Sequence, residues 1–155
     1  MTTTAPITAP TVDGRVIGLA HYAGRAVLES VLGRHELTFQ QMLTLRPVAV
    51  ADAPVERDGV VTQIADAIKI DTADVHRVVE ELVTKRLVTA EGPQLLATDA
   101  GRDLYGEASG ETGKISARIY DGISAEDLAT AGRVLTQVTE RADAELAALA
   151  EQLHK

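Results

Sequence analysis

The sequence predicts a mainly α-helical protein with one small β-hairpin. Apolar residues recur at three- and four-residue intervals through most of the chain. Helix-capping residues (Thr38, Asp71, Ser124) stand at the starts of several of these stretches. A single segment, 87–97, instead reads as two short apolar runs separated by Glu91-Gly92-Pro93, a tight hairpin.

The first helix is expected over 14–32, where Val16, Leu19, Ala20, Ala23, Val27 and Val31 form one stripe and Gly33 serves as its C-cap. The second begins at Thr38, with Gln41 in capping-box spacing, and should stop or kink at Pro47. Turn residues and charge make 49–59 a loop. Two short helices follow. Val61, Ile64, Ala65 and Ile68 mark the first; Val75, Val78, Val79 and Leu82 mark the second, with Asp71 as its N-cap. After the hairpin, a helix from Thr98 to about Tyr120 carries Gly101, Gly106, Gly110 and Gly113. Each interior glycine costs roughly 1 kcal/mol relative to alanine, so so many of them imply either close helix approach or a helix broken around 110–113. Ser124, with Asp127 three residues on, caps a final helix to Leu153, about 45 Å long. Its stripe of Ala131, Leu135, Val138, Ala142, Leu146 and Leu149 must be buried by a partner chain or by the first helix. Residues 1–13 read as a tail, 14–58 as N-terminal helices, 59–104 as a central domain and 105–155 as C-terminal helices.

Composition narrows the function. The 155 residues suffice for one domain or one subunit, and 45% apolar content supports a core. No apolar run is long enough to span a membrane, and residues 1–10 lack the features of a signal peptide, so a cytoplasmic protein is expected. Without cysteine there is no disulfide, thiolate metal site or thiol nucleophile. Three Tyr, one Phe and no Trp give few rings on which to stack single-stranded bases. A net charge of −8 argues against non-specific binding to nucleic acid or membrane surfaces. No Ser-His-Asp context, Walker loop or dinucleotide fingerprint is present, so no catalytic residue is expected. His21, His35, His76 and His154 are far apart in the chain, and neither metal nor cofactor is expected.

Helix, short turn, helix and hairpin in this order make a winged helix-turn-helix, with 72–85 as the helix that enters a duplex groove. Thr72, Ala73, His76 and Arg77 lie on its outward side near the N-terminus, and Glu80 one turn later. Arg77 can donate twice to guanine, His76 can donate or accept, and Thr72 or Ala73 can meet a thymine methyl. Asp74 can accept from cytosine, or simply stabilise the helix N-terminus. Gln63, Lys69 and Arg102 complete the expected DNA-facing set, with Arg57 a further basic residue that helps if the fold brings it to the same face. Residues 60–104 nevertheless hold five basic and eight acidic side chains, a net of −3, so few phosphates would be neutralised.

Ile64-Ala65, Ile68-Lys-Ile-Asp71, Val75-His-Arg-Val-Val-Glu-Glu-Leu82, Lys85-Arg-Leu-Val88 and Leu96-Ala-Thr-Asp-Ala-Gly-Arg102 together resemble the MarR family of winged-helix transcription regulators. Leu37-Thr-Phe-Gln-Gln41 and Ser124-Ala-Glu-Asp-Leu128 extend the resemblance over almost the whole chain from about residue 14. It implies a homodimer with interlocked terminal helices, a palindromic site in double-stranded DNA, and control by a small aromatic or anionic effector, as in a ligand-responsive repressor. One departure is the wing, which in the family is longer and carries arginines; here no basic residue lies between Arg86 and Arg102. The family's effector position maps to His21, Tyr22 and Arg25 on the first helix and Phe39, Met42 and Arg46 on the second. Those residues also have an ordinary reading, with Arg25–Glu29 an ion pair and Phe39 and Met42 core. The acidic reading segment and clipped wing leave a second function open, a winged-helix protein that no longer reads DNA and instead binds a protein or sequesters a ligand.

Overall fold

The computed structural model describes residues 8–154. Of the expected tail, 1–7 lie outside the described residues, and 8–13 are exposed and belong to no helix or strand. The elements are α1 (Gly14–Arg34), α2 (Phe39–Ala49), β1 (Val55–Glu56), α3 (Arg57–Ile68), α4 (Thr72–Thr84), β2 (Val88–Glu91), β3 (Gln94–Ala97), α5 (Asp99–Tyr120) and α6 (Ala125–Leu153). They fall into two compact units, one reaching to Lys114 and the other beginning at Ile115.

α1 starts where the Asp13 carboxylate accepts from the Val16 N–H at 2.8 Å. It does not end at Gly33 as the sequence suggests; Gly33 stays helical and the left-handed residue is Glu36, at φ 55°. The Leu37 N–H closes on the Leu32 carbonyl at 3.0 Å, which lets Leu37 drop into the core beside Leu32. The same wrap recurs at Lys69 and Arg86, with φ 56° and 59°, where Ile70 and Leu87 turn back to Ala65 and Leu82. Packing of the following apolar residue against the core, complete for Leu37 and Leu87 and partial for Ile70, takes the place of glycine at all three ends.

The Thr38–Gln41 capping box forms in both directions. Pro47 does not stop α2, which runs on to Ala49, because Val48 is buried and the Val50 N–H still closes the last turn on Arg46. The loop expected over 49–59 is shorter than that. Val55 and Glu56 form β1, paired with Leu95 and Gln94 of β3, and α3 begins at Arg57. The hairpin is therefore part of a three-stranded antiparallel sheet in the order β1-β3-β2. Its turn is Gly92-Pro93, with Gly92 at φ 59°, and Glu91 pairs with Gln94 inside the strands rather than at the tip. The core gathers Leu32, Leu45, Val75, Val79, Leu82 and Leu95 from α1, α2, α4 and β3.

α5 is continuous through Gly106, Gly110 and Gly113, so the broken-helix alternative is corrected. A Cβ added at any of those three meets nothing within 4 Å in this chain, and the crowded glycine is Gly101. Gly110→Ala is accordingly expected to raise the melting temperature by roughly 2–4 °C, the gain of about 1 kcal/mol in helix propensity. A lower melting temperature would place another chain against that face.

The end of α1 is held to α5 by Glu111, whose carboxylate accepts from His35 Nε2 and Arg34 Nη2, each at 2.7 Å. The His35 hydrogen bond first, then that of Arg34, holds the Glu111 carboxyl below the usual carboxylate range. A depressed carboxylate stabilises the fold above its unfolded pKa and loses that contribution as pH falls through the folded one. Glu111→Gln is therefore expected to melt below the parent near neutral pH, with the gap closing under about pH 4. A gap independent of pH would show that the carboxylate's charge is not what matters.

α6 is capped by Ser124, whose hydroxyl accepts from the Asp127 N–H at 3.1 Å. Its 29 residues include none that is buried, and Leu146 and Leu149 are 52% and 55% exposed. Leu135 and Val138 of the apolar stripe read from the sequence are also exposed. Leu19 and Tyr22 on α1 are exposed as well.

Candidate nucleic-acid interface

α3 ends at the left-handed Lys69, and Ile70 and Asp71 bring the chain straight into α4. Asp71 holds the extended N-cap backbone and its carbonyl accepts from Asp74 and Val75, although its side chain makes no capping bond. Burial of Val75, Val78, Val79 and Leu82 then sets the rotation of α4. With those four seated, Thr72, Ala73, Arg77 and Glu80 are exposed, and Asp74 and His76 half-exposed, on the side away from the core.

The outward side chains are already paired with one another. Arg77 Nη2 donates to Asp74 Oδ1 at 2.7 Å. Arg57 Nε donates to His76 Nδ1 at 3.1 Å, and its Nη2 to Glu80 Oε1 at 2.8 Å. Arg57, expected in a loop and free to meet phosphate, is instead the first residue of α3, with its side chain only 23% exposed. Its backbone N–H also donates to the Pro93 carbonyl in the hairpin turn at 2.9 Å. One residue thus ties the hairpin turn to α4. The remaining members of the expected set sit on other elements. Gln63 is exposed on α3, Lys69 lies 3.8 Å from Asp66, and Arg102 Nη1 donates to the Ala97 carbonyl at 2.8 Å.

A shallow cleft of about 340 Å³ runs beside α4, lined by Gln41, Arg77, Glu80, Glu81, Thr84 and Lys85. Gln41 is buried, and its amide donates to Glu81 Oε2 at 2.8 Å while accepting from Lys85 Nζ at 3.1 Å. Lys85 Nζ also donates to the Glu36 carbonyl. Sequence reading found Gln41 only as a capping residue and missed this three-residue link between α2 and α4. Nothing in the local pattern signals it, because the partners are 40 residues apart.

The residues mapped to an effector divide. Arg25 lies over the Phe39 ring, 4.5 Å from its centroid, and bonds Glu29 at 2.9 Å. His21 and Tyr22 are exposed, with ring centroids 5.4 Å apart. Met42 is buried in the core and Arg46 is exposed. Among the described residues no group of three His, Asp or Glu side chains is placed to hold a metal ion. No described helix is long and apolar enough to cross a membrane.

No family model matches the chain, and no curated protein matches its sequence. Solved structures do match its fold. CouR from Rhodococcus jostii RHA1, bound to p-coumaroyl-CoA, aligns with a TM-score of 0.69 at 19% identity, over 81% of this chain and 89% of its own. MarR from Staphylococcus aureus, in complex with salicylate and kanamycin, aligns at 0.69 and 19% identity, over 81% and 87%. The reduced form of MarR from E. coli aligns at 0.64 and 18% identity, over 86% and 97%. A helix-turn-helix with a three-stranded wing, flanked by long terminal helices, gives this chain the fold of the MarR-family transcriptional regulators.

Proposed function

We propose that this chain is a MarR-family transcription regulator of the cytoplasm, which reads a palindromic site in double-stranded DNA as a homodimer. The observation that carries the reading is the outward side of α4. Its core-facing residues are fully seated, and Thr72, Ala73, His76 and Arg77 are left at the surface of the helix start. That is the part of a helix-turn-helix that meets base edges. The homodimer rests on α6, a helix of 29 residues with none buried, whose apolar stripe needs a cover of its own length. A second copy supplies that cover by symmetry. The neighbours bound to p-coumaroyl-CoA and salicylate support an aromatic, anionic effector that relieves repression, with Arg25 and Phe39 at the α1–α2 contact the residues to meet it.

Selection from random duplexes at low salt tests the reading. Enrichment of a palindrome is the expected result, with a shallow salt dependence because few cations face outward unpaired. A second reading, a winged-helix protein that no longer reads DNA, is favoured by one set of observations. Arg57 and Arg77 are engaged by Glu80 and Asp74 on the same face, and the wing tip has no basic residue. No enrichment of any duplex would establish that second reading in place of the first.

A further inference from the structure

Among the described residues, His76 is the one candidate base-reading side chain on α4 held by a residue from another element. The Arg57 guanidinium carries N–H groups only and so can only donate. Its Nε–H is directed at His76 Nδ1 at 3.1 Å, so Nδ1 must offer a lone pair. A doubly protonated imidazole has none to offer, and an Nδ1–H tautomer would set two N–H groups against each other. The neutral ring protonated on Nε2 is the form that fits.

Arg57 is itself held at several points. Its Nη2 donates to Glu80 Oε1 at 2.8 Å, one turn beyond His76 on the same helix. Its backbone N–H donates to the Pro93 carbonyl, and the preceding residue, Glu56, pairs with Gln94 in the sheet. The guanidinium is thus aimed at His76 by α4, β1 and the wing turn together. Among the described residues nothing bonds to His76 Nε2, and the ring is half-exposed.

We infer that Arg57 is a positioning residue that locks His76 as an Nε2–H donor, so that α4 presents a fixed donor to the base it meets. The sequence leaves His76 free to donate or accept; the lock removes the second option. In the major groove a donor finds N7 and O6 of guanine, N7 of adenine or O4 of thymine, whereas cytosine shows only its amino donor. The site should therefore reject cytosine at the position facing His76. The base assignment rests on the DNA-binding reading proposed above; the tautomer does not.

Two measurements separate them. Nitrogen-15 NMR of the imidazole in the full-length protein near neutral pH is expected to show His76 protonated on Nε2 and bare on Nδ1. Arg57→Ala should move it to a mixture of tautomers, and Arg57→Lys, which restores a cationic donor, should recover part of the Nε2–H form. Should Arg57→Ala fail to fold, the wild-type tautomer decides. An Nδ1–H ring or a mixture in the wild type, or an unchanged ring in folded Arg57→Ala, overturns the lock. In duplex selection, the position facing His76 is the one whose preference His76→Ala erases. Wild type should disfavour cytosine there about fivefold, the worth of one hydrogen bond, and Arg57→Ala should relax that position alone. Enrichment of cytosine there overturns the base assignment with the tautomer intact. If no duplex is enriched, the regulator reading fails and the base assignment with it, while the NMR result still decides the lock.

Discussion

Gly101→Ala is expected to lower the melting temperature by about 10 °C, a loss of roughly 3 kcal/mol from an overpacked core position. The added Cβ would lie 2.0 Å from the Leu87 carbonyl oxygen, 2.9 Å from its carbon and 3.3 Å from its Cα. All three are backbone atoms, so no side-chain rotation relieves the clash. Nor can the backbone give freely. The Leu87 N–H is bonded to the Leu82 carbonyl at the end of α4, and the Leu87 carbonyl accepts from the Thr98 N–H at 3.1 Å. The Thr98 hydroxyl donates to the Arg86 carbonyl at 2.7 Å and accepts from the Gly101 N–H at 3.0 Å. Relief means pushing the start of α5 away from the end of α4 and breaking this knot. Thermal melts followed by circular dichroism provide the measurement, with Gly110→Ala as the opposite-signed control on the same helix. A melting temperature within about 2 °C of the parent would show that the close approach is not maintained in solution.

Arg77→Ala should weaken binding to the selected duplex by about 10- to 100-fold, the range for one bidentate contact to guanine. Arg77 must first leave Asp74. That exchange is favourable, because a surface pair with side chains 66% and 40% exposed contributes about 0–1 kcal/mol, less than the 1–3 kcal/mol of a good base contact. The melting temperature should stay within about 2 °C for the same reason. Mobility shift of wild type and variant on one duplex measures it. Equal affinity would remove α4 from the role of reading helix, whatever else the protein binds.

Much of the fold is legible along the chain. The valine stripe of α4 is correct residue for residue, as are the capping box at Thr38 and Gln41 and the cap at Ser124. These are signals spanning a few residues, where spacing and side-chain chemistry act without help from the rest of the molecule. The misses share a different character. β1 is two residues long, too short for any periodicity, and exists because β3 pairs with it. α1 does not end at the expected Gly33 but at a left-handed Glu36, because burial of Leu37 beside Leu32 holds that turn. Gly101 and Gly110 look alike in sequence, yet only the first has a backbone pressed against it.

The site follows the same division. Periodicity alone settled which side of 72–84 faces the core, and hence that His76 and Arg77 face out, since four buried residues on one stripe leave a helix no other rotation. Composition added that residues 60–104 carry a net charge of −3. Folding decided what those charges meet: Arg57 reaches His76 across 19 residues and Glu80 across 23, and Gln41 reaches Glu81 across 40. A side chain's protonation form and direction depend on the partner placed beside it, and a partner so far along the chain arrives only when the whole domain closes.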